Sequence, residues 1–305
     1  MAKALTGIVP VAPTPFDDDG RVDEDGMRRV LDCMIDQGGD AICILANYSE
    51  QFVLSDDERA LLMKLSLEHV AGRKPVIVTI SHFSTAIAVA RAKAAQAMGA
   101  AMVMMMPPFH GVSLRSSESG IFEHFAAVNG AVSIPIMVQD APLSGVNLSV
   151  PFLARMAREL EHVSYLKLEC PFAADKLAAL IAEAGGHIVG PFDGEEAVTL
   201  LADLDAGATG TMSSALLPEK IRPIVIDYLA GRSDAALAQW KLCLPLINHE
   251  NRQCGLRACK TVFAEGGVIR SDRVRHPQQA MSDRTRARLL ELAHELDLIA
   301  LRWGK

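Results

Sequence analysis

The sequence predicts a (β/α)8 barrel with additional C-terminal helices, and three observations favour this fold. Eight short apolar runs of strand length alternate with segments of helical periodicity. The runs are nearly continuously apolar, which is typical of parallel strands that are covered on both faces. No GxGxxG follows the first run, which disfavours the alternative of an open doubly wound sheet. The runs lie at residues 7–12, 41–45, 75–80, 101–106, 134–138, 163–168, 187–190 and 208–212.

The segments between the runs carry signals of helix starts and buried faces. Ser55 is followed by three acidic residues, which suit the exposed N–H groups of a first helical turn. Other starts are predicted at Ser84-Thr85 for the third helix, at Ser149 and Pro151 for the fifth, and after Asp193-Gly194 for the seventh. The first helix is expected to bury Met27, Val30, Leu31 and Met34 on one face.

The chain is predicted to divide into a barrel at residues 1–230 and a helical extension at residues 231–305. Barrels of this class take about 250 residues as one unit, so the 305 residues leave room for a packed tail but not for a second enzyme domain. Helical patterns continue from Ser233 to the end, interrupted by Gly255 and by Gly266-Gly267.

Composition excludes several classes of function. The 30 basic and 37 acidic residues are interspersed, so nucleic acid is not an expected partner. No run approaches the ~20 apolar residues of a membrane span, and the first six residues do not resemble a signal peptide. We therefore expect a cytoplasmic protein without a membrane partner. No CxxC pair occurs, which predicts free thiols and no metal site; the cysteines are Cys33, Cys43, Cys170, Cys243, Cys254 and Cys259.

Polar residues at the ends of the runs are the candidate site residues, because barrels of this kind carry their active sites at the carboxyl ends of the strands. They are Thr14 after the first run, Asn47, Tyr48, Ser49 and Glu50 after the second, Ser81 and His82 after the third, Gln139 and Asp140 after the fifth, Lys167 and Glu169 at the sixth, and Thr211, Ser213 and Ser214 at the eighth.

Lys167 is the sharpest candidate, because it interrupts a strand that should be buried. A buried ammonium must pair with an acid or lose its proton, and a deprotonated amine is a nucleophile toward a carbonyl. The alternative is an edge lysine that reaches solvent. Glu169 lies two residues on and shares a strand face with Lys167, so it can move protons there or form a structural ion pair.

Four segments together resemble the dihydrodipicolinate synthase / N-acetylneuraminate lyase family. Residues 7–16 are similar to its opening strand and Thr-Pro-Phe turn. Residues 46–50 occupy the position of its Gly-Thr-Thr-Gly-Glu signature. Lys167 stands at its Schiff-base lysine, and residues 207–213 resemble its Gly-rich eighth strand. The resemblance spans essentially the whole chain. It implies a lyase that holds a small 2-keto acid as an imine, needs no cofactor or metal, and forms a homotetramer.

The chain departs from that family at its proton relay. Gln139-Asp140-Ala141-Pro142 stands where the family has Tyr-Asn-x-Pro, and a glutamine cannot titrate. Phe109 occupies the position of a second tyrosine, which in the family comes from a neighbouring subunit. Asn47 occupies the position of the threonine that links the two tyrosines. Ser144 stands for the synthase arginine. Dihydrodipicolinate synthase activity is therefore not expected.

The loop at residues 47–50 and Lys-Leu-Glu at residues 167–169 resemble the sugar-acid dehydratase branch of the family. This resemblance implies a hydro-lyase of pentose degradation that converts 2-keto-3-deoxy-L-arabonate to 2,5-dioxopentanoate and water. It implies an imine on Lys167 and acid–base work by Glu169. Asn47, Tyr48 and Ser49 are expected to bind the substrate carboxylate, and Thr14 to order the site near Lys167. Gln139 is expected to form hydrogen bonds to substrate hydroxyls or to Glu169, and His82 to contact the distal hydroxyls. Met212 and Ser213 are expected to line the floor of the site.

Two other functions stay open at this point. An aldolase that releases pyruvate shares the imine, although the missing tyrosine relay argues against it. A non-catalytic sensor or scaffold is disfavoured because it has no need of a buried amine. Asn47 is also compatible with an Asx-turn, and Tyr48 and His82 with structural roles. The sequence leaves the sugar stereochemistry and chain length open.

Overall fold

A computed structural model describes residues 4–108 and 116–305. Within these ranges eight strands alternate with eight α-helices, and three more α-helices follow. In chain order the elements are β1 Gly7–Ile8, α1 Glu24–Asp36, β2 Ile42–Ile44, α2 Asp56–Val70, β3 Val76–Thr79, α3 Thr85–Ala97, β4 Met102–Met105, α4 Glu118–Asn129, β5 Ile136–Asp140, α5 Val150–Glu159, β6 Val163–Leu168, α6 Ala173–Ala184, β7 Gly190–Asp193, α7 Leu200–Asp205, β8 Gly210–Thr211, α8 Pro218–Leu229, α9 Ser233–His249, α10 Arg257–Glu265 and α11 Asp283–Glu295.

The elements fall into two compact units, each made of separate stretches of chain. Unit 1 comprises the described residues of Met1–Thr6, Ile77–Glu195 and Thr199–Thr211. Unit 2 comprises Gly7–Val76, Glu196–Val198 and Met212–Lys305. The predicted boundary between barrel and extension near residue 230 stays a prediction.

Unit 1 is built on a parallel sheet in which each strand from β3 to β8 pairs with the next one along the chain. These strands are almost wholly buried, as expected for a sheet with both faces covered. Helices α3 and α4 pack on each other, and so do α5 and α6. The register between β5 and β6 sets Gln139 beside Lys167, and that between β6 and β7 sets Lys167 beside Phe192.

Unit 2 contains the pairings of the first strand. Val11 forms parallel bridges with Cys43 on one side and with Ser214 on the other. Cys43 lies in β2 and Ser214 follows β8, so the segment after β1 lies between these two stretches of unit 2. Helix α1 packs on α2, and α8 packs on α9 and on β1. The predicted (β/α)8 fold with additional C-terminal helices is confirmed.

Several boundaries differ from the prediction. The seventh strand was predicted at residues 187–190 and lies at Gly190–Asp193, because Gly185–His187 form a 3-10 turn. Helix α7 begins at Leu200 rather than directly after Gly194. The first strand is short because Pro10 has no N–H to donate to a ladder. The fifth strand extends to Asp140, so Gln139 and Asp140 lie inside it.

The predicted starts of α2, α3 and α5, the buried face of α1 and the free thiols are confirmed. Ser55 caps α2 in a capping box with Glu58, and Ser84 and Ser149 are the N-cap residues of α3 and α5. The apolar face predicted for α1 is buried. All six cysteines are free thiols, and Cys170 is half-buried while the other five are buried. Across the described ranges, no helix has the length and apolar character needed to cross a bilayer.

Candidate active site

Lys167 lies in β6 with a side chain that is only 5 % exposed, and its amine contacts a carboxylate. The distance from Lys167 Nζ to Glu169 Oε1 is 2.6 Å. The two residues are two positions apart, so strand alternation directs them to the same face. The solvent-reaching lysine considered from the sequence is wrong, because the amine is held inside the fold.

Gln139 completes this cluster through the sheet register. It is fully buried beside Lys167, and its Nε2 donates a hydrogen bond of 2.8 Å to Glu169 Oε1. One oxygen of Glu169 therefore contacts both the lysine amine and the glutamine amide. Gln139 Oε1 has no hydrogen-bond partner within the part of the chain that the structure describes. A buried amide oxygen in this state is an acceptor available to a bound molecule.

Gly194 provides the space that the cluster occupies, and sequence reasoning missed it. A Cβ on this buried glycine would lie 2.6 Å from Glu169 Cγ and 2.9 Å from Lys167 Cγ. Any side chain would therefore collide with the lysine and glutamate stems. The available signal was a glycine directly after the seventh strand, which was interpreted only as the lead into a helix.

Asp140 was predicted together with Gln139 but faces the other way. Its Oδ2 lies 2.5 Å from the amine of Lys176 in α6. Burial raises the pKa of Asp140, and the nearby Lys176 opposes that rise. Alternation along β5 thus separates a glutamine in the lysine cluster from an aspartate that anchors a helix.

His82, also in unit 1, is half-buried in the loop before α3. Its Nδ1 accepts a hydrogen bond of 2.9 Å from the Ser84 N–H, and its ring centroid lies 4.4 Å from that of Phe83. These contacts order the loop. The contact of His82 with distal substrate hydroxyls stays a prediction.

In unit 2, the predicted carboxylate-binding residues form the 3-10 turn Asn47–Ser49. Ser49 Oγ accepts from the Ala46 N–H at 3.1 Å and donates to the Ala12 carbonyl at 2.6 Å. Thr14 Oγ1 donates to the Ser49 carbonyl at 2.7 Å, and its role in ordering the site near Lys167 stays a prediction. Asn47 Oδ1 accepts from Gln51 Nε2 at 2.6 Å.

The remaining predicted residues are placed as follows. Tyr48 is half-buried in the same turn. Met212 and Ser213 follow β8 and are buried, and the Ser213 carbonyl accepts a hydrogen bond from the Val11 N–H at 2.8 Å. Phe109 lies outside the described residues. The binding roles of Tyr48, Met212 and Ser213 stay predictions.

Glu50, the last residue of this loop, is buried against the C-terminal helices. Its Oε1 forms an ion pair with Lys260 of α10, and its Oε2 accepts from the Arg275 N–H at 3.0 Å. Burial lowers the pKa of Lys260, and the Glu50 charge opposes that shift. Sequence reasoning missed Lys260, although a lysine within the apolar face of a helix was an available signal.

In the described ranges, no group of three or more His, Cys, Asp or Glu side chains is placed to hold a metal ion. The cluster around Lys167 supplies an amine, a carboxylate and an amide. These can form a carbon–nitrogen bond with a ketone and move protons beside it.

A (β/α)8 fold with a buried lysine on its sixth strand, paired with a half-buried glutamate just after that strand, is typical of the class of lysine Schiff-base barrel enzymes. The family model described as the dihydrodipicolinate synthetase family matches residues 4–296, and the chain belongs to this family.

Relatives and solved structures agree with this assignment. The chain is 57 % identical over 298 residues to the L-2-keto-3-deoxyarabonate dehydratase of Azospirillum brasilense, covering 98 % of this chain and 96 % of that protein. It is 28 % identical to a 4-hydroxy-tetrahydrodipicolinate synthase of Pelobacter propionicus, over 96 % of this chain and 99 % of that one. The crystal structure of a dihydrodipicolinate synthetase homologue from Pseudomonas aeruginosa matches with a TM-score of 0.90 and 31 % identity, covering 96 % and 100 % of the two chains.

Proposed function

We propose that this enzyme is a hydro-lyase that converts 2-keto-3-deoxy-L-arabonate to 2,5-dioxopentanoate and water through an imine on Lys167. The observation that carries the proposal is the cluster in unit 1: a buried amine 2.6 Å from a carboxylate, with a glutamine amide on the same carboxylate oxygen. The 57 % sequence identity to an L-2-keto-3-deoxyarabonate dehydratase supports the choice of substrate.

Lys167 starts the reaction by attacking the C2 carbonyl carbon of the keto acid. Its nitrogen forms a bond to C2, and the carbonyl oxygen leaves as water, so that a protonated imine remains. Glu169 contacts the amine and can orient it for this attack.

The iminium then acidifies C3–H, and Glu169 removes that proton to give an enamine. The enamine pushes out the C4 hydroxyl, which leaves as water with the proton that Glu169 returns. Transfer of a proton from C5 to C3 moves the new double bond to C4–C5. The resulting enol becomes the C5 aldehyde. Hydrolysis of the imine releases 2,5-dioxopentanoate and restores the amine, so the net change is the loss of one water.

Gln139 favours dehydration over aldol cleavage. Cleavage between C3 and C4 needs a base that takes the C4 hydroxyl proton, and an amide cannot titrate. Gln139 can instead hold Glu169 in place and accept a hydrogen bond from a substrate hydroxyl with its unpartnered Oε1. This contact favours a hydroxylated chain as substrate. An aldolase that releases pyruvate is the second candidate, because it shares the imine.

Three finer features are proposed from the family resemblance. The turn Asn47–Ser49 binds the substrate carboxylate, His82 contacts distal hydroxyls, and Met212 with Ser213 lines the floor of the site. The enzyme works without metal or organic cofactor, as a cytoplasmic homotetramer in pentose degradation. Analytical ultracentrifugation tests the tetramer directly.

The proposal is tested by trapping and by product analysis. Borohydride with pyruvate should attach the reduced keto acid to Lys167, detected as a mass gain on the peptide that contains this residue. Incubation with 2-keto-3-deoxy-L-arabonate should yield 2,5-dioxopentanoate. Pyruvate as the product would establish the aldolase instead, and an active enzyme without a trapped adduct would exclude the imine.

Glu169→Gln tests the proton carrier. We expect the variant to form the imine, because Lys167 is retained, and to lose dehydration by about 10²-fold or more, since general acid–base catalysis contributes that much. The measurement compares borohydride trapping with product formation on the same preparation. A turnover number near that of the wild type would show that another group carries the protons.

A further inference from the structure

We propose that Lys260 is a positioning residue, which holds the loop at residues 47–50 in the conformation that binds the substrate carboxylate. The inference rests on the proposed function of that loop. It assigns a role to a residue of the C-terminal helices, which the sequence presented only as a packed extension.

The backbone of Glu50 adopts an unusual conformation. This residue has φ 58°, in the left-handed region that residues other than glycine rarely adopt. It ends the turn Asn47–Ser49, and its N–H donates to the Asn47 carbonyl at 3.0 Å. A left-handed residue of this type persists only where its surroundings determine it. The conformation of the loop therefore depends on what holds the Glu50 side chain.

Groups from α10 and the segment after it hold the Glu50 side chain. Lys260 is fully buried, and its amine donates to Glu50 Oε1 and, at 2.6 Å, to the Arg273 carbonyl. The same amine lies 4.2 Å from the centroid of the Phe16 ring. Glu50 Oε2 takes the Arg275 N–H at 3.0 Å. Both carboxylate oxygens are thus held by residues from α10 and the segment after it.

Ser49, the neighbour of Glu50 in the same loop, is held by the segment after β1. Ser49 is bound through its Oγ to the Ala12 carbonyl and through its carbonyl to Thr14 Oγ1, at 2.6 and 2.7 Å. The turn is therefore fixed between the segment after β1 and the segment around α10. Without Lys260, Glu50 keeps a buried charge with one partner fewer, and turning this side chain toward solvent relieves it.

A loop that spends only part of its time in the binding conformation lowers the apparent affinity by that fraction. The proposal therefore predicts a change in binding rather than in the chemical step. Lys260→Met, which keeps the stem and removes the charge, should raise the KM by about tenfold while kcat stays within about threefold.

The decisive readout is selectivity for a carboxylate. The concentration of pyruvate that gives half-maximal borohydride trapping on Lys167 should rise about tenfold in Lys260→Met. The value for pyruvamide, a neutral compound of the same size, should change little. The ratio of the two values measures carboxylate recognition without requiring dehydratase turnover.

Two further variants serve as a control for lost ion pairs and as a replacement for Lys260→Met. Arg222→Met breaks an ion pair with Asp40 in the same unit, at 2.9 Å, and should lower thermal stability without changing pyruvate selectivity. Glu50→Gln keeps the shape of the side chain and should shift selectivity in the same direction as Lys260→Met, so it replaces that variant if the latter does not fold.

Unchanged half-saturation and selectivity in a folded Lys260→Met or Glu50→Gln protein would overturn the positioning role. The same selectivity loss in Arg222→Met would show a general effect of lost ion pairs and would also overturn it. A wild-type protein that traps no pyruvate would instead refute the imine chemistry, so the two failures are distinguishable.

Discussion

At the scale of single residues, the lysine cluster depends on Gly194, a residue without a side chain. Lys167 and Gln139 both contact Glu169 Oε1, and the stems of Lys167 and Glu169 lie against Gly194. The glycine is buried, and its φ is not in the left-handed region, so it is required for space rather than for backbone freedom. The positions of Lys167 and Glu169 are therefore sensitive to one methyl group.

Gly194→Ala is expected to displace Lys167 and Glu169 and to lower kcat/KM by about 10²-fold, the scale of loss that a misplacement of about 1 Å produces. Steady-state kinetics with the keto acid checks this. Gly186→Ala is the matched control, because no atom lies within 4 Å of its new Cβ, and it should leave kcat/KM unchanged. Equal activity of both variants would show that the cluster has slack at Gly194.

The sequence could predict part of this cluster but not all of it. Lys167 and Glu169 share a face by strand alternation, which is local and readable. The contact of Gln139 depends on the register between β5 and β6, which only the folded sheet defines. Lys260 and Glu50 are separated by 210 positions, so no local pattern could join them.

At the scale of elements, local chemistry explains which boundaries were predictable. Helix α2 begins where Ser55 Oγ accepts from the Glu58 N–H at 3.2 Å and Glu58 Oε2 accepts from the Ser55 N–H at 2.9 Å. Both partners lie within four residues and are visible in the sequence. The seventh strand was misplaced because Gly185–His187 form a 3-10 turn, and Gly190 at the start of the strand lies against the Tyr165 ring, which is a tertiary contact that the sequence does not reveal.

Ser55→Ala is expected to lower the free energy of unfolding by about 1 kcal/mol, because it removes the side-chain acceptor of the capping box. Urea denaturation followed by circular dichroism measures the loss. Ser84→Ala is the matched control, since Ser84 is the N-cap residue of α3 but makes no capping hydrogen bond with its side chain. The cap contributes nothing if the two variants unfold at the same urea concentration.

At the scale of the whole molecule, each compact unit is assembled from stretches that are far apart in the chain. Each unit also buries a carboxyl group that is costly to ionise. In unit 1, burial and the neighbouring Asp193 raise the pKa of Asp203 to about 7. In unit 2, burial raises the pKa of Glu250 to about 8. Stability should therefore respond to pH in a range where exposed carboxyl groups have already titrated.

Asp203→Asn tests this dependence. Asp203 ionises near its ordinary value of 3.8 in the unfolded chain and at about 7 in the folded protein, so the folded state binds the extra proton between these values. Its contribution to stability is present below about pH 4 and is lost as the pH rises to about 7. The unfolding free energy of wild type should fall relative to that of Asp203→Asn across this window. A constant difference from pH 4 to 8 would refute the shift.

The ion pair between Glu50 and Lys260 also sets an order of events during synthesis. A ribosome completes the loop at residues 47–50 long before it adds the lysine that neutralises its glutamate. Until some 210 further residues have been joined, that carboxylate has no countercharge from α10 and can stay in water. A chain that ends before α10 lacks both the Lys260 amine and the Arg275 N–H that hold the Glu50 carboxylate, so the conformation of this loop in unit 2 depends on completion of the polypeptide.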